Sequence, residues 1–308
     1  MRPRYCLTMI YGAMGLGGPW DSPRVGEAEA SQALAALRAA KEVGIDTIDT
    51  ADIYKDGYAD KAISAAFQAD PSLRDHFKIQ TKFGIHLKGV PRYEQTPDRL
   101  KESLEGSLDR LGADHIDVLL IHRPDPLADK AAVGKALMDL LAQKVIGAVG
   151  VSNMHSAQLR AWAQYVPLAA NQLQLSLGHH AFVDAEVDFN TAGQPSFDEQ
   201  TIEWCLNRGV QIQAWSPLDG GLYTADVPAA DPNVEQTRKL VHQLAQNMSV
   251  PPEAIVLAWL EKHPAAIVPV IGTTKPERIW ACARAREVHL ERSQWYDLYQ
   301  HARGRNIP

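Results

Sequence analysis

The feature that most constrains the fold is a near-continuous alternation of amphipathic helical segments with short apolar runs. Residues 31–43, for example, place Leu34 and Leu37 on one helical face and end before Gly44. Residues 47–49, which follow, are predicted as a strand. Alternation of this kind is typical of a parallel sheet whose strands are connected by helices.

Eight strands are expected along the chain, at 8–11, 47–49, 78–82, 118–122, 148–152, 169–172, 211–215 and 267–272. Helices are expected at 31–43, 61–68, 97–111, 130–143, 157–165, 197–208, 235–248, 252–263, 276–286 and 292–302, and a long irregular segment at 179–195. The α/β pattern with eight strands predicts a single (β/α)8 TIM barrel. Since no linker or break in composition interrupts the 308 residues, we expect one domain over 1–308.

Composition and charge exclude several classes of protein. A net charge of -6 leaves no basic surface for nucleic acid, so no such partner is expected. Three cysteines, Cys6, Cys205 and Cys282, lie far apart and indicate reduced thiols rather than disulfides or a zinc site. No apolar stretch approaches the ~20 residues of a membrane span, and no signal peptide is recognised. We therefore expect a cytoplasmic protein without membrane contact.

Chemically reactive side chains stand where the expected strands end. Asp49, Lys82 and His122 each close an apolar run, and Tyr54 lies in the loop after the first of them. Active sites of barrels lie at the carboxyl ends of the strands, so we expect these four side chains to meet. Each has an ordinary alternative when taken alone, such as a turn aspartate, a solvated lysine or a core histidine. Their combination at matching strand ends favours a catalytic site.

The four groups suit proton transfer to an oxygen atom. A tyrosine hydroxyl titrates near ~10, and a neighbouring ammonium lowers that pKa by favouring the phenolate. Lys82 is expected to act on Tyr54 in this way, with Asp49 keeping the lysine charged. His122 would donate a second hydrogen bond to the same substrate oxygen.

Several segments together resemble the aldo-keto reductase superfamily, in particular its bacterial aldo/keto reductase-type oxidoreductases. They are 44–54 (GIDTIDTADIY), Thr81-Lys82, 120–125 (LIHRPD), 150–153 (GVSN), Asn171-Gln172, 214–218 (AWSPL) and 271–279 (IGTTKPERI). The resemblance implies an NADPH-dependent reduction of aldehydes or ketones, with Tyr54 as general acid. Lys82 and Asp49 would tune this residue, and His122 would place the carbonyl group.

The resemblance also implies a set of cofactor residues, in which Ser152, Asn153 and Gln172 hold the carboxamide and Trp215 stacks on the nicotinamide. The expected cofactor-binding residues are Ser152, Asn153, Gln172, Trp215, Ser216, Pro217, Leu218, Gly272, Thr273, Thr274, Lys275 and Arg278. A helix beginning after Lys275 offers free N–H groups to phosphate, and Arg278 matches the residue that reads the 2′-phosphate. NADP(H) is expected as the cofactor. NAD use stays open, because Cys282 and Gly272 depart from common family residues.

The substrate is expected to be a small carbonyl compound. Met14, Trp20 and Phe83, with the 179–195 segment, would form mostly apolar walls that favour hydrophobic or aromatic carbonyls. Residues 15–20 fail the G-x-G-x-x-G pattern at Trp20, so no Rossmann domain is expected. No metal is expected, and the chain is predicted to be a monomer or a small homo-oligomer.

Two other functions are compatible with the pattern. Relatives of the family serve as NADP-binding, redox-sensing regulatory subunits of potassium channels, with slow turnover. A barrel lyase could instead use Lys82 to form a Schiff base, but Asp49 beside it keeps the lysine protonated and disfavours that chemistry.

Overall fold

Eight parallel strands form a closed barrel at the centre of the molecule. The computed structural model describes residues 9–188, 196–227 and 229–308. The strands in these ranges are β1 (Ile10–Gly12), β2 (Thr47–Asp49), β3 (Lys78–Phe83), β4 (Ile85–His86), β5 (Arg92–Tyr93), β6 (Ile116–Ile121), β7 (Ile146–Ser152), β8 (Leu168–Gln174), β9 (Gln211–Trp215) and β10 (Val268–Ile271). The barrel order is β1, β2, β3, β6, β7, β8, β9, β10 and back to β1, which confirms the predicted (β/α)8 fold.

Helices surround the barrel and connect its strands. In the described ranges they are α1 (Glu27–Glu42), α2 (Tyr58–Ala69), α3 (Pro71–His76), α4 (Pro97–Leu111), α5 (Lys130–Ala142), α6 (Ser156–Trp162), α7 (Ala181–Val187), α8 (Gln200–Arg208), α9 (Pro232–Met248), α10 (Pro252–Glu261), α11 (Pro276–Ala283) and α12 (Arg292–Arg303). Helix α4 has the bounds that the sequence predicts. Thr96 accepts a hydrogen bond from the Arg99 N–H at 3.1 Å, and Gly112 ends the helix at φ 64°.

The main hydrophobic core lies between the barrel and the helices. Helix α10 is buried along most of its length, as expected for a helix that is apolar all round. Trp259 of α10 stacks on Trp295 of α12 at 5.1 Å, and each indole N–H donates to the other residue's carbonyl oxygen. This reciprocal pair attaches α12 to α10. In the described parts of the chain, no helix is long and apolar enough to cross a membrane.

The structure contains elements that the sequence pattern did not predict: α3, the two-stranded β4–β5 hairpin and α7. Helix α7 lies inside the segment predicted as irregular, and His180 contacts Asp184 one turn later at 2.9 Å. A helix of seven residues is too short for its periodicity to be recognised against the glycines and prolines nearby. Residues 189–195 of that segment, Pro228 and residues 1–8 lie outside the described residues.

Candidate active site

A continuous hydrogen-bonded chain joins three of the four expected catalytic residues. The Lys82 ammonium, at the end of β3, donates to Asp49 Oδ2 at 2.5 Å and to the Tyr54 hydroxyl at 3.0 Å. It also donates to the Thr50 carbonyl oxygen at 3.0 Å. Asp49 and Lys82 are almost fully buried. Because β2 and β3 are parallel neighbours, the two strand ends bring the carboxylate and the ammonium together.

Burial and neighbouring charges shift the pKa values of Tyr54 and Lys82 in opposite directions. Burial raises the pKa of the Tyr54 hydroxyl, Lys82 lowers it, and the net shift is upward. Burial alone would lower the pKa of Lys82, but Asp49 and Tyr54 outweigh it and the lysine pKa is also raised. The expected lowering influence of Lys82 on the Tyr54 pKa is present, but desolvation of the phenolate is the larger effect. At neutral pH the site therefore holds a protonated tyrosine and a charged lysine.

His122 follows β6 and stands beside Tyr54. The two rings form an edge-to-face contact with centroids 5.9 Å apart. Burial lowers the pKa of His122 well below its ordinary value, and the nearby cations Lys82 and Arg123 lower it further. The imidazole is therefore neutral and retains one N–H that can donate to a substrate oxygen.

An unusual backbone turn presents Tyr54. The next three residues, Lys55, Asp56 and Gly57, have positive φ angles of 53°, 51° and 83°. A Cβ atom on Gly57 would lie 2.7 Å from the Arg110 side chain, so glycine is required there. The Lys55 ammonium lies over the Trp20 ring at 4.7 Å. This contact attaches the turn to the N-terminal wall of the site.

Behind the turn, a buried ion pair ties the loop after β2 to α4. The Thr50 hydroxyl donates to Asp60 Oδ1 at 2.7 Å, and Arg110 donates to Asp60 Oδ2 at 2.9 and 3.1 Å. Asp60 is fully buried. Burial raises the pKa of the Asp60 carboxyl, and Arg110 opposes that shift. The backbone that carries Asp49 and Tyr54 is thus held by contacts remote from the Asp49 carboxylate and the Tyr54 hydroxyl.

Three of the four expected catalytic residues line a cavity of about 680 Å³. Most of the residues predicted as catalytic, cofactor-binding or substrate-binding line it. They are Met14, Trp20, Asp49, Tyr54, His122, Ser152, Asn153, Gln172, Trp215, Ser216, Pro217, Leu218, Gly272, Thr273, Thr274, Lys275 and Arg278. Lys82 lies behind this surface and reaches it through Tyr54.

The structure places Phe83 away from this cavity, contrary to its expected role in the substrate wall. Its side chain is fully buried within the main hydrophobic core. Side chains alternate along a strand, so Phe83 faces the surrounding helices when its neighbour Lys82 faces the barrel interior. The sequence prediction for Phe83 is corrected accordingly.

One side of the cavity is a connected polar surface. Asn153 donates from Nδ2 to the Ser152 hydroxyl at 2.7 Å and accepts from the Trp215 indole N–H at 2.9 Å. The Ser152 hydroxyl donates to the main-chain carbonyl oxygen of Gln172 at 2.9 Å. Asn153 has a φ of 58°, a left-handed conformation that asparagine tolerates well. These contacts fix an amide-rich surface beside the Trp215 ring.

The far end of the cavity carries the cationic side chains of Lys275 and Arg278 at the start of a helix. Helix α11 begins after the Thr273–Lys275 loop at Pro276, which has no N–H, and the Arg278 N–H donates to the Lys275 carbonyl oxygen at 3.0 Å. The helix start can therefore offer an anion the Glu277 N–H and the positive end of the helix dipole. Arg278 lies one turn into α11, with its guanidinium 3.3 Å from the Glu253 carboxylate and its side chain 40% exposed. The cation is therefore held in place yet open to solvent.

Three residues that lie near the site were not predicted as site residues from the sequence. Arg123 lines the cavity and lies over the Trp215 ring at 5.8 Å. Gln80 and Gln213 lie within the barrel, bonded to each other at 2.8 and 3.0 Å. A signal was available for the glutamines, since each precedes a site residue, Lys82 or Trp215, by two positions and so shares its face of the strand.

Comparison with known proteins identifies the family. Residues 8–303 match the model of the aldo/keto reductase family. The chain belongs to this family. A 6-dehydroglucose reductase of Agrobacterium fabrum is 33% identical over 306 residues, 97% of this chain and 95% of the relative. Oxidoreductase YdhF of Escherichia coli is 31% identical, over 87% of this chain and 86% of the relative.

Solved structures of aldo/keto reductases share the fold. The glycerol dehydrogenase AKR11B4 from Gluconobacter oxydans has a TM-score of 0.82 at 20% identity, covering 97% of this chain and 93% of that one. An aldo-keto reductase from Klebsiella pneumoniae in complex with NADPH has a TM-score of 0.74 at 22% identity, covering 98% and 92%. The prediction of an oxidoreductase of the aldo-keto reductase type is confirmed.

Proposed function

We propose that this aldo/keto reductase reduces an aldehyde or ketone to the alcohol with NADPH, and that Tyr54 is the general acid. The observation that carries the proposal is the Asp49–Lys82–Tyr54 chain, which ends at the cavity beside a neutral His122. A protonated tyrosine can donate to an oxygen whose negative charge grows during the reaction, and the adjacent ammonium stabilises the phenolate that remains.

In this mechanism each residue has one task. NADPH, when bound, supplies the hydride. The His122 N–H donates a hydrogen bond to the substrate carbonyl oxygen and orients it. Tyr54 transfers its proton to that oxygen as the alcohol forms, and Lys82 stabilises the phenolate. Asp49 keeps Lys82 charged inside a buried site, where an unpaired ammonium would lose its proton.

The residues present fit a phosphorylated dinucleotide. The cavity connects the Ser152–Asn153 surface and the Trp215 ring to the N-terminus of α11. Ser152, Asn153 and Gln172 would hold the carboxamide, Trp215 would stack on the nicotinamide, and Arg278 would bind the 2′-phosphate. The Klebsiella structure, which shares the fold, is a complex with NADPH. We propose that NADPH is preferred over NADH, since Arg278 is a charged partner for the 2′-phosphate.

The residues at the mouth of the cavity indicate which class of substrate it can accept. Met14 and Trp20 are half-exposed and give the cavity mouth an apolar side. Arg123 gives it a cationic side and forms no ion pair with a described residue. Two curated relatives at 33% identity are 6-dehydroglucose reductases. We therefore propose a small carbonyl substrate, and a test must include both aromatic and polyhydroxylated compounds.

The test is a substrate panel of aromatic aldehydes, sugar-derived aldehydes, ketones and quinones, followed by the loss of NADPH absorbance. We expect at least one class to be reduced with steady-state turnover. Tight NADPH binding without turnover on any class would contradict the proposal and support a redox-sensing regulatory role. Trapping of a substrate on Lys82 by borohydride would instead indicate Schiff-base chemistry.

A further inference from the structure

Three buried glutamines from three different strands form one hydrogen-bonded network with Asp49 beneath the site. They are Gln80 of β3, Gln172 of β8 and Gln213 of β9, each no more than 2% exposed. We propose that Gln80 and Gln213 are positioning residues that fix the Gln172 amide with its carbonyl oxygen towards the cofactor. The inference rests on the proposed function, because it concerns the carboxamide end of the same cavity.

The orientation of the network follows from Asp49. An ionised carboxylate can only accept hydrogen bonds. Its Oδ2 accepts from Lys82 at 2.5 Å, and its Oδ1 accepts from the Nε2 atoms of Gln80 at 2.6 Å and Gln172 at 2.9 Å. Both glutamines must therefore present their amide nitrogen, rather than their oxygen, to the aspartate.

Gln213 completes the arrangement. Its Oε1 accepts the second N–H of Gln80 at 2.8 Å and the second N–H of Gln172 at 3.0 Å. Its own Nε2 donates to Gln80 Oε1 at 3.0 Å and to Gln211 Oε1 at 2.9 Å. A primary amide has two N–H donors, so all six donors of the three buried glutamines are used.

One hydrogen-bond acceptor of the network, Oε1 of Gln172, receives no hydrogen bond within it. Among the described residues, none donates to Oε1 of Gln172, although Gln172 lines the cavity. Rotating its amide by half a turn would place that oxygen against the oxygens of Asp49 and Gln213, and each of these buried acceptors would lose one of its hydrogen bonds, which is costly. Gln172 is therefore fixed as an acceptor towards the cavity. It suits a ligand that offers an N–H, such as a carboxamide.

The experiment compares the binding of NADP⁺ with that of its 3-acetylpyridine analogue, in which a methyl ketone replaces the carboxamide and no N–H remains. Dissociation constants are measured by titration of protein fluorescence for wild type and Gln213→Leu. Without Gln213, only the hydrogen bond to Asp49 Oδ1 orients the Gln172 amide, so its oxygen selects less strongly for the N–H. We expect the preference for NADP⁺ over the analogue to fall by about 2- to 12-fold, the value of one hydrogen bond.

Three further variants complete the experiment. Gln246→Leu makes the same substitution on the exposed side of α9 and should keep the wild-type preference. Gln213→Glu should keep it as well, because a buried, protonated glutamic acid can still accept from Gln172 and donate to Gln80. Gln213→Met, which removes the amide while retaining a long side chain, replaces Gln213→Leu if the leucine variant does not fold.

The outcomes separate this inference from the proposed function. A folded Gln213→Leu or Gln213→Met protein with an unchanged preference overturns the positioning role. A Gln213→Glu protein that loses the preference as completely as Gln213→Leu overturns the acceptor role of Gln213. Failure of wild type to bind NADP⁺ at all would instead refute the proposed function itself.

Discussion

The substitution Tyr54→Phe removes only the hydroxyl group. Its effect on turnover can therefore be compared with its effect on the free energy of unfolding. In Tyr54→Phe, Lys82 loses one hydrogen bond of 3.0 Å but keeps its bonds to Asp49 at 2.5 Å and to the Thr50 carbonyl at 3.0 Å. The expected loss of unfolding free energy is therefore that of one net hydrogen bond, about 0.5 to 1.5 kcal/mol. The fold and the cofactor cavity should remain intact.

The loss of activity should be far larger. General acid catalysis contributes roughly 10² to 10⁴ in rate, which corresponds to about 2.7 to 5.4 kcal/mol of activation free energy. We expect the turnover number of Tyr54→Phe for carbonyl reduction to fall by that factor. NADPH binding, measured by fluorescence titration, should stay within about twofold of wild type, because the cofactor residues are untouched.

Tyr11→Phe is the matched control. Tyr11 of β1 is fully buried, does not line the cavity, and its hydroxyl has no hydrogen-bond partner among the described residues. Its removal should leave turnover nearly unchanged, since no bond is lost. Carbonyl reduction by Tyr54→Phe at the wild-type rate, with correct folding, would refute the assignment of Tyr54 as the proton donor.

Three further predictions follow from charges in the structure. Arg278→Ala should weaken NADPH binding about 10- to 150-fold and leave NADH binding nearly unchanged, because only NADPH loses a charged hydrogen bond; equal weakening of both in fluorescence titrations would contradict this. The rate of reduction should stay level through neutral pH and fall only above about pH 10, because the pKa of Tyr54 is raised above its ordinary value; a pH–rate profile that falls near pH 7 would exclude Tyr54 as the acid. Burial raises the pKa of Glu261 to about 8 in the folded state, above about 4.3 unfolded, so its contribution to stability is present at low pH and lost as pH rises to about 8. Glu261→Gln should therefore raise the unfolding temperature relative to wild type at pH 9 but not at pH 4, and an equal shift at both pH values would refute the linkage.

The convergence of the expected catalytic side chains could be predicted because reactive residues end neighbouring strands. Parallel strands in a barrel place their carboxyl ends on one face, so Asp49, Lys82 and His122 had to converge once the alternation was recognised. The order of the barrel strands follows the chain, and helices such as α4 carry their own capping residues. These features depend on local sequence, and the structure agrees with them.

Other features depend on packing that a sequence does not display. The direction in which the Tyr54 pKa shifts depends on how completely neighbouring residues exclude water. Here the increase caused by burial is larger than the decrease caused by Lys82. The orientation of Phe83 follows from which face of β3 turns inward. Gln80 and Gln213 resemble solvent-facing residues in a strand, yet they are buried and bonded across the barrel. Each of these depends on contacts between segments distant in sequence.

The buried ion pair of Asp60 and Arg110 has a consequence for laboratory evolution. It joins the loop that carries Tyr54 to α4, so we expect a substitution of Arg110 to alter the rate without changing any residue that lines the cavity. Libraries aimed at new substrates should keep Thr50, Asp60 and Arg110 constant and randomise Met14 and Trp20 at the mouth. Selectivity and catalytic power can then be varied as nearly independent traits of one scaffold.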